Sequence, residues 1–240
     1  MKLVIIAAGR GSRLSSISNG IPKILIEVFN KTLLEHLVNN CVSAGISDVV
    51  IVTGHNSKMI HDYLLKKEFN VNIELTYNPD WDLANGVSIL ASKNNIPIDN
   101  DFMISMSDHF YKDELLLKIK NSDLSKKLVN VGSDYKTDMI HDPDDAMKLI
   151  VDEESNLVRA MSKDLLKYNA VDCGLFKCKY EFFSILQEAK ENGKHSLSDA
   201  CNMLINNHFL GGVNIHDSYW IDIDTPDALN YINNNRKLFE

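Results

Sequence analysis

Cysteine is scarce in this chain of 240 residues, and what there is makes no cluster. Cys41, Cys173, Cys178 and Cys201 form no Cys-x-x-Cys pair and have no histidine at zinc-ligand spacing, so they read as reduced, structural thiols. The eight histidines are scattered, and none accompanies a serine or cysteine in a nucleophile elbow, which leaves no hydrolytic triad. Positive charge is also in short supply: 25 Lys and Arg against 33 Asp and Glu give a net charge of −8, the opposite of a nucleic-acid-binding surface. The apolar stretch from Leu3 to Ala8 is far too short for a membrane span and lacks the pattern of a signal peptide. A cytoplasmic location with no membrane and no nucleic-acid partner is therefore expected. No internal repeat or low-complexity linker divides the chain, so one α/β domain over residues 1–240 is expected.

What is there begins at the first residues. Leu3 to Ile6 reads as a buried strand, and it runs into Ala7-Ala8-Gly9-Arg10-Gly11-Ser12-Arg13. Small residues let backbone N–H groups come close to a ligand and form an anion-binding concavity, while Arg13 and the later Lys23 supply mobile positive charge for a polyphosphate. A dinucleotide fingerprint would need a third glycine where Leu14 stands, and a Walker loop would need Gly-Lys-Ser/Thr, so neither fits.

Further along, the pattern is that of strands and helices in alternation. Thr32 precedes an apolar helical spacing that stops near Gly45, and Asp48 to Thr53 reads as the second strand. Gly54-His55-Asn56 would sit at its carboxyl end, with His55 a loop residue without an assigned role. Ser57 to Lys67 reads as a helix and Asn72 to Tyr77 as a strand. Asn85, Gly86 and Ser88 stand at the entrance of an apolar helix, where N–H donors are exposed. Asp101 to Met106 reads as a strand with Ser107-Asp108-His109 at its carboxyl tip, a position from which an ionised aspartate can hold a divalent cation against a triphosphate. His109 there can hydrogen-bond nucleotide or metal-bound water, or simply pack.

After a strand from Val129 to Tyr135, the aspartate-rich run from Lys136 to Asp145 reads as an exposed loop able to move over the site. The segments 145–151 and 157–161 alternate like a hairpin, making the second half antiparallel. Ser196 is a candidate N-cap, Gly212 to Asp217 a last strand, and Thr225-Pro226 the cap and first residue of the final helix.

Taken together, Ala7-Ala8-Gly9-x-Gly11-x-Arg13 followed by Pro22-Lys23 resembles the signature of the sugar-1-phosphate nucleotidyltransferase superfamily, and the likeness extends over nearly the whole chain. It implies a GT-A-like, Rossmann-like α/β fold with a mixed, mostly parallel central sheet and a small antiparallel acceptor-binding subsheet. The nucleotide-binding half would lie at about residues 1–125 and the acceptor-binding half at about 126–240. Met106-Ser-Asp-His-x-Tyr111 narrows the likeness to cytidylyltransferases of inositol 1-phosphate and other phosphorylated alcohols.

What the resemblance implies is transfer of CMP from CTP with Mg2+ as cofactor. Arg13 and Lys23 would touch the triphosphate, beside Ala7, Ala8, Gly9, Gly11 and Ser12, and Asn85, Gly86 and Ser88 would line the nucleoside pocket. Asp108 and the late Asp224 would hold the metal, with Asp222 the less certain neighbour. Lys163, and with weaker support Lys148, would bind the acceptor phosphate, Asp172 would take acceptor hydroxyls, and Gly174 would allow backbone to approach. The acceptor stays open between inositol 1-phosphate, phosphocholine and a phosphonate such as 2-aminoethylphosphonate. An inactive nucleotide-binding module and a homodimer are further open readings.

Overall fold

A computed structural model describes residues 1–11 and 20–239. The first strand, β1 (Lys2–Ala7), is apolar throughout its middle because both of its faces are covered. Leu3 and Ile5 pack into one cluster and Val4 and Ile6 into another, so the period of two shows as a continuous apolar run rather than as alternation. Two short strands, β2 (Glu27–Val28) and β3 (Lys31–Thr32), form a hairpin, and Thr32 then caps α1 (Leu33–Ser43). Its side chain accepts from the Glu35 N–H while Glu35 reaches back to the Thr32 N–H, satisfying donors that a helix start leaves open.

The chain continues through β4 (Asp48–Thr53), α2 (Ser57–Leu64), β5 (Asn72–Tyr77), α3 (Asn85–Ala91) and β6 (Phe102–Met106). Strands β5, β4, β1 and β6 lie side by side and parallel, so their carboxyl ends open on one edge of the sheet. Next come β7 (His109–Tyr111), α4 (Asp113–Lys120), β8 (Val129–Asp134), β9 (Lys148–Asp152), β10 (Leu157–Ser162) and β11 (Ala170–Cys178). The chain ends with α5 (Phe182–Glu191), α6 (Leu197–Ile205), β12 (Leu210–Asn214), β13 (Trp220–Asp222), α7 (Pro226–Asn234) and α8 (Arg236–Phe239).

The main sheet has nine strands in the order β5-β4-β1-β6-β11-β8-β12-β10-β9. Strand β11 runs antiparallel to both neighbours and shifts register against β8 between Asp172 and Phe176. That irregularity lets the first part of β11 also pair with β9. The expected mixed α/β architecture is present, with three refinements. The β9–β10 hairpin joins the main sheet instead of forming a subsheet, because β10 pairs with β12. β12 begins at Leu210, ends at Asn214 and runs parallel to β8, so the second half is not wholly antiparallel. Helix α2 stops at Leu64 rather than Lys67, since Ile60 is its buried residue and the following lysines and glutamate are exposed.

All four cysteines are buried and free, as their spacing implied. No helix among the described residues is long and apolar enough to cross a membrane.

Candidate active site

Where β1 ends, the backbone turns through Ala8, Gly9 and Gly11. The carbonyl of Ala8 accepts from the His55 N–H at 2.9 Å, which ties the loop to the end of β4. Gly11 adopts φ +65°, and a Cβ there would stand 2.9 Å from Cγ of Lys23. Its missing side chain is what lets the Lys23 stem pass toward the cavity. That cavity, of about 320 Å3, is lined by Ala7, Gly9 and Gly11 on one side and by Trp81, Asn85 and Ser88 on the other, with Lys23 and Asp108 at its end. Arg13 and Ser12 lie outside the described residues.

The Asn85-Gly86-x-Ser88 segment divides its labour. Ser88 is buried and accepts from Nδ2 of Asn78 at 3.0 Å, and Asn85 accepts through Oδ1 from the Leu197 N–H at 2.8 Å. Both still face the cavity. Gly86 does not line it: a Cβ there would come within 2.7 Å of the His195 carbonyl, so this glycine brings α3 against the start of α6. A sequence reading sees only an Asn-Gly pair at a helix start and cannot tell a ligand contact from this close approach.

Asp108 follows β6 and stands at the seam of two cavities. Its Oδ2 accepts from Nζ of Lys23 at 2.7 Å, and Oδ1 lies 3.1 Å from Nδ1 of His109. Burial opposes ionisation of Asp108, but the Lys23 ammonium and His109 outweigh it and hold the carboxyl well below the usual carboxylate range. Lys23 is moved the other way. Burial disfavours its charge, yet Asp108, with Asp222 and Asp224 behind it, raises its pKa.

What brings the late aspartates here is the small sheet of β7 and β13, in which Asp222 faces His109 in register. The Ile223 N–H donates to the Asp108 carbonyl at 2.8 Å, and Thr225 caps α7 through the Ala228 N–H with Pro226 at N1. Sequence-distant carboxylates are thus joined by backbone pairing. Ligand atoms of Asp108, His109 and Asp222 lie within 4.8 Å of one another, as do those of Asp145, Asp222 and Asp224. Asp222 therefore belongs to both groups, and it joins Asp108 where the sequence reading ranked Asp224 first. Its carboxyl is raised to about 7 by burial and by the neighbouring Asp108 charge. Oδ1 of Asp222 is buried and accepts no hydrogen bond from the described residues.

The second cavity, about 280 Å3, shares Asn85, Met106 and Asp108 with the first. Asp172 and Gly174 of β11 and Lys163 line it. Asp172 accepts from the Gly174 N–H at 2.7 Å, and burial pushes its carboxyl up to about 7 despite that bond and the nearby His109. Lys163 is held by Asp145. Lys148 is not among the lining residues; its ammonium donates to the Lys163 carbonyl at 2.8 Å and lies 5.5 Å over the Tyr168 ring. Its ammonium thus holds the backbone of the Lys163 segment and takes no part in the cavity lining.

Several cavity residues carried no sequence signal. Met106, Met139, Met147 and Met161 line the second cavity, and Lys136 and Trp220 both bind Asp134. The 136–145 loop, read as exposed, supplies Met139, Ile140 and Asp145 to this wall. Scattered methionines have no spacing that marks them, since β6, the 136–147 segment and β10 bring them together only in the fold.

Comparison with known proteins places this geometry. The chain is 26% identical over 229 residues to the bifunctional sugar-1-phosphate nucleotidylyltransferase/acetyltransferase of Sulfurisphaera tokodaii, covering 94% of this chain and 53% of that one. It is 27% identical over 232 residues to the bifunctional IPC transferase and DIPP synthase of Rubrobacter xylanophilus, covering 94% and 49%. The chain spans about half the length of the curated relatives it matches. Among solved structures, the inositol-1-phosphate CTP transferase from T. maritima superposes with a TM-score of 0.86 at 22% identity, over 99% of this chain and 94% of that one. The nucleotidyl transferase family model matches residues 2–237, and the chain belongs to that family.

Proposed function

We propose that the protein transfers CMP from CTP to a phosphorylated small alcohol, with inositol 1-phosphate the first acceptor to test, and releases pyrophosphate. The observation that carries this reading is the meeting of two cavities at Asp108, one walled by a glycine loop with Lys23 and the other holding Lys163 and Asp172. A phosphate oxygen of the acceptor forms a bond to the α-phosphorus while the bond to the β-phosphate oxygen breaks. The attacking phosphate is already anionic, so the chain needs no general base. That suits a sequence in which no histidine accompanies a serine or cysteine in a nucleophile elbow.

The task left to the side chains is alignment of two anions and neutralisation of their charge. Lys23 steadies the reacting phosphate and exchanges its contact with Asp108 for one with the nucleotide. Arg13 takes the leaving pyrophosphate in this scheme. Lys163 leaves Asp145 for the acceptor phosphate, and Asp172 accepts hydrogen bonds from acceptor hydroxyls. The donor set fits Mg2+: Asp108 and Asp222 offer hard carboxylate oxygens close together, one of them buried and free of hydrogen bonds from the described residues, with Asp224 beside them. When bound, Mg2+ neutralises and polarises the triphosphate. The T. maritima neighbour, by its name, supports an inositol 1-phosphate acceptor and CTP, while the relative named for sugar 1-phosphates supports a sugar 1-phosphate instead.

The test is pyrophosphate release with CTP, UTP or dTTP against inositol 1-phosphate, phosphocholine, 2-aminoethylphosphonate and a hexose 1-phosphate. Release with CTP and inositol 1-phosphate above the others supports the reading. Release with UTP and a hexose phosphate replaces it, and no release with any pair favours a nucleotide-binding module.

A further inference from the structure

We propose that His109 is a positioning residue that fixes the carboxylate of Asp108, with its imidazole held in place by Trp220 and by the absence of a side chain at Gly174. The inference rests on the reading above in one respect, that Asp108 works at the seam of the two cavities. A carboxylate only accepts, so Nδ1 of His109 carries the hydrogen of the 3.1 Å contact with Oδ1 of Asp108. Lys23 donates to the other oxygen at 2.7 Å. Each oxygen of Asp108 therefore has its own donor, from opposite sides of the seam, and the carboxylate plane is set.

The imidazole is itself constrained by elements distant in sequence. Its ring stacks on the Trp220 indole with centroids 5.3 Å apart and planes 6° from parallel. The Trp220 Nε1 donates to Asp134 at 2.9 Å, which locks the indole in turn. On the β11 side, Gly174 adopts φ +76°, and a Cβ there would lie 2.4 Å from Cδ2 and 2.6 Å from Nε2 of His109. The β11 irregularity thus clears space for this ring. A group present only to fill volume would not need Nδ1 on Asp108, and leucine could take its place. Asparagine keeps a donor near the Nδ1 position and serves as the conservative variant.

Mn2+ serves as the probe, its binding read by electron paramagnetic resonance in the absence of nucleotide, with thermal unfolding confirming that each variant is folded. His109→Leu is expected to weaken Mn2+ binding about tenfold or more, the scale found when a partner of a ligating carboxylate is removed. His109→Asn should stay within about threefold of wild type by the same scale, and Gly174→Ala, which crowds the ring, should move in the direction of His109→Leu. Wild-type binding retained in His109→Leu, or an equal loss in His109→Leu and His109→Asn, overturns the proposal. Failure of the wild-type protein to bind Mn2+ overturns this inference together with the metal reading. Binding by the wild type without pyrophosphate release falls on the transfer reading alone.

Discussion

The two cavities that meet at Asp108 are built in different ways. The one beside the first loop sets the small residues Ala7, Gly9 and Gly11 at the carboxyl end of β1 against Trp81 and Leu83, with Lys23 its one cationic lining side chain among the described residues. The other is walled by long side chains from β6, the 136–147 segment, β10, β11, β13 and α7, with methionines and aromatics between charged groups. A triphosphate presents the same oxygens in every nucleotide, and N–H groups at strand and loop ends suffice to receive them. An acceptor has its own shape, which only side chains can match. Flexible methionines fill such a surface without imposing a rigid outline.

The largest expected effect breaks the first cavity. Lys23→Ala removes the half-buried ammonium that the proposed reaction sets at the reacting phosphate and leaves Asp108 without its strongest cationic neighbour, at a cost of roughly 2 to 4 kcal/mol in transition-state stabilisation. Steady-state pyrophosphate release should show that loss in kcat/KM for CTP with every acceptor. Near-normal turnover would remove Lys23 from the chemistry. Asp222→Asn comes next, because this carboxylate belongs to both acidic groups whereas Asp224 belongs to one of them. It should raise the Mg2+ concentration for half-maximal activity by roughly 10- to 100-fold, and by more than Asp224→Asn does; the reverse order would restore Asp224 as the principal ligand.

The second cavity breaks more gently. Lys163→Ala should raise the acceptor KM about tenfold, since a partly exposed charge-assisted contact is worth roughly 1.5 kcal/mol, and it should leave the CTP KM unchanged. Lys148→Ala, whose ammonium lies outside the cavity, should change neither by more than about twofold, the scale of a surface contact. Equal effects of the two lysines on the acceptor KM would put Lys148 back in the site.

This contrast is also why one half could be read from sequence and the other only in part. The strand, the tight loop and Lys23 lie within one short stretch, and small residues in a row at a strand end have few other uses. Asp108 could be found because it follows a strand directly. Asp222 and Asp224 drew attention through Asp-x-Asp-Thr-Pro, but their order of importance depends on β7 pairing with β13, a contact no local pattern announces. The place of Lys148 outside the cavity is hidden from the sequence for a like reason. Strand alternation gives the face of a side chain, and a cavity reached around the Lys163 turn is a matter of tertiary position. The methionine wall and the stack of Trp220 on His109 join segments far apart in the chain.

The smallest effect sharpens the comparison through stability. Asp172 faces the second cavity with a folded-state pKa of about 7, raised from 3.8 chiefly by burial, so between those values the folded protein binds more protons than the unfolded chain. Stability from this group is therefore full below pH 4 and is lost as pH rises to about 7. Asp172→Asn removes the titration while keeping the shape and an acceptor for the Gly174 N–H. It should leave the melting temperature unchanged relative to wild type at the acid end and raise it at pH 8, by the equivalent of about 2 kcal/mol once partial solvent access is allowed for. Acceptor binding should suffer in the same variant, because a carboxylate accepts from hydroxyls that an amide can only partly serve. A variant that gains alkaline stability but keeps its acceptor KM would show that Asp172 is buried for packing, and that recognition in the second cavity lies with Lys163 and the aromatic wall.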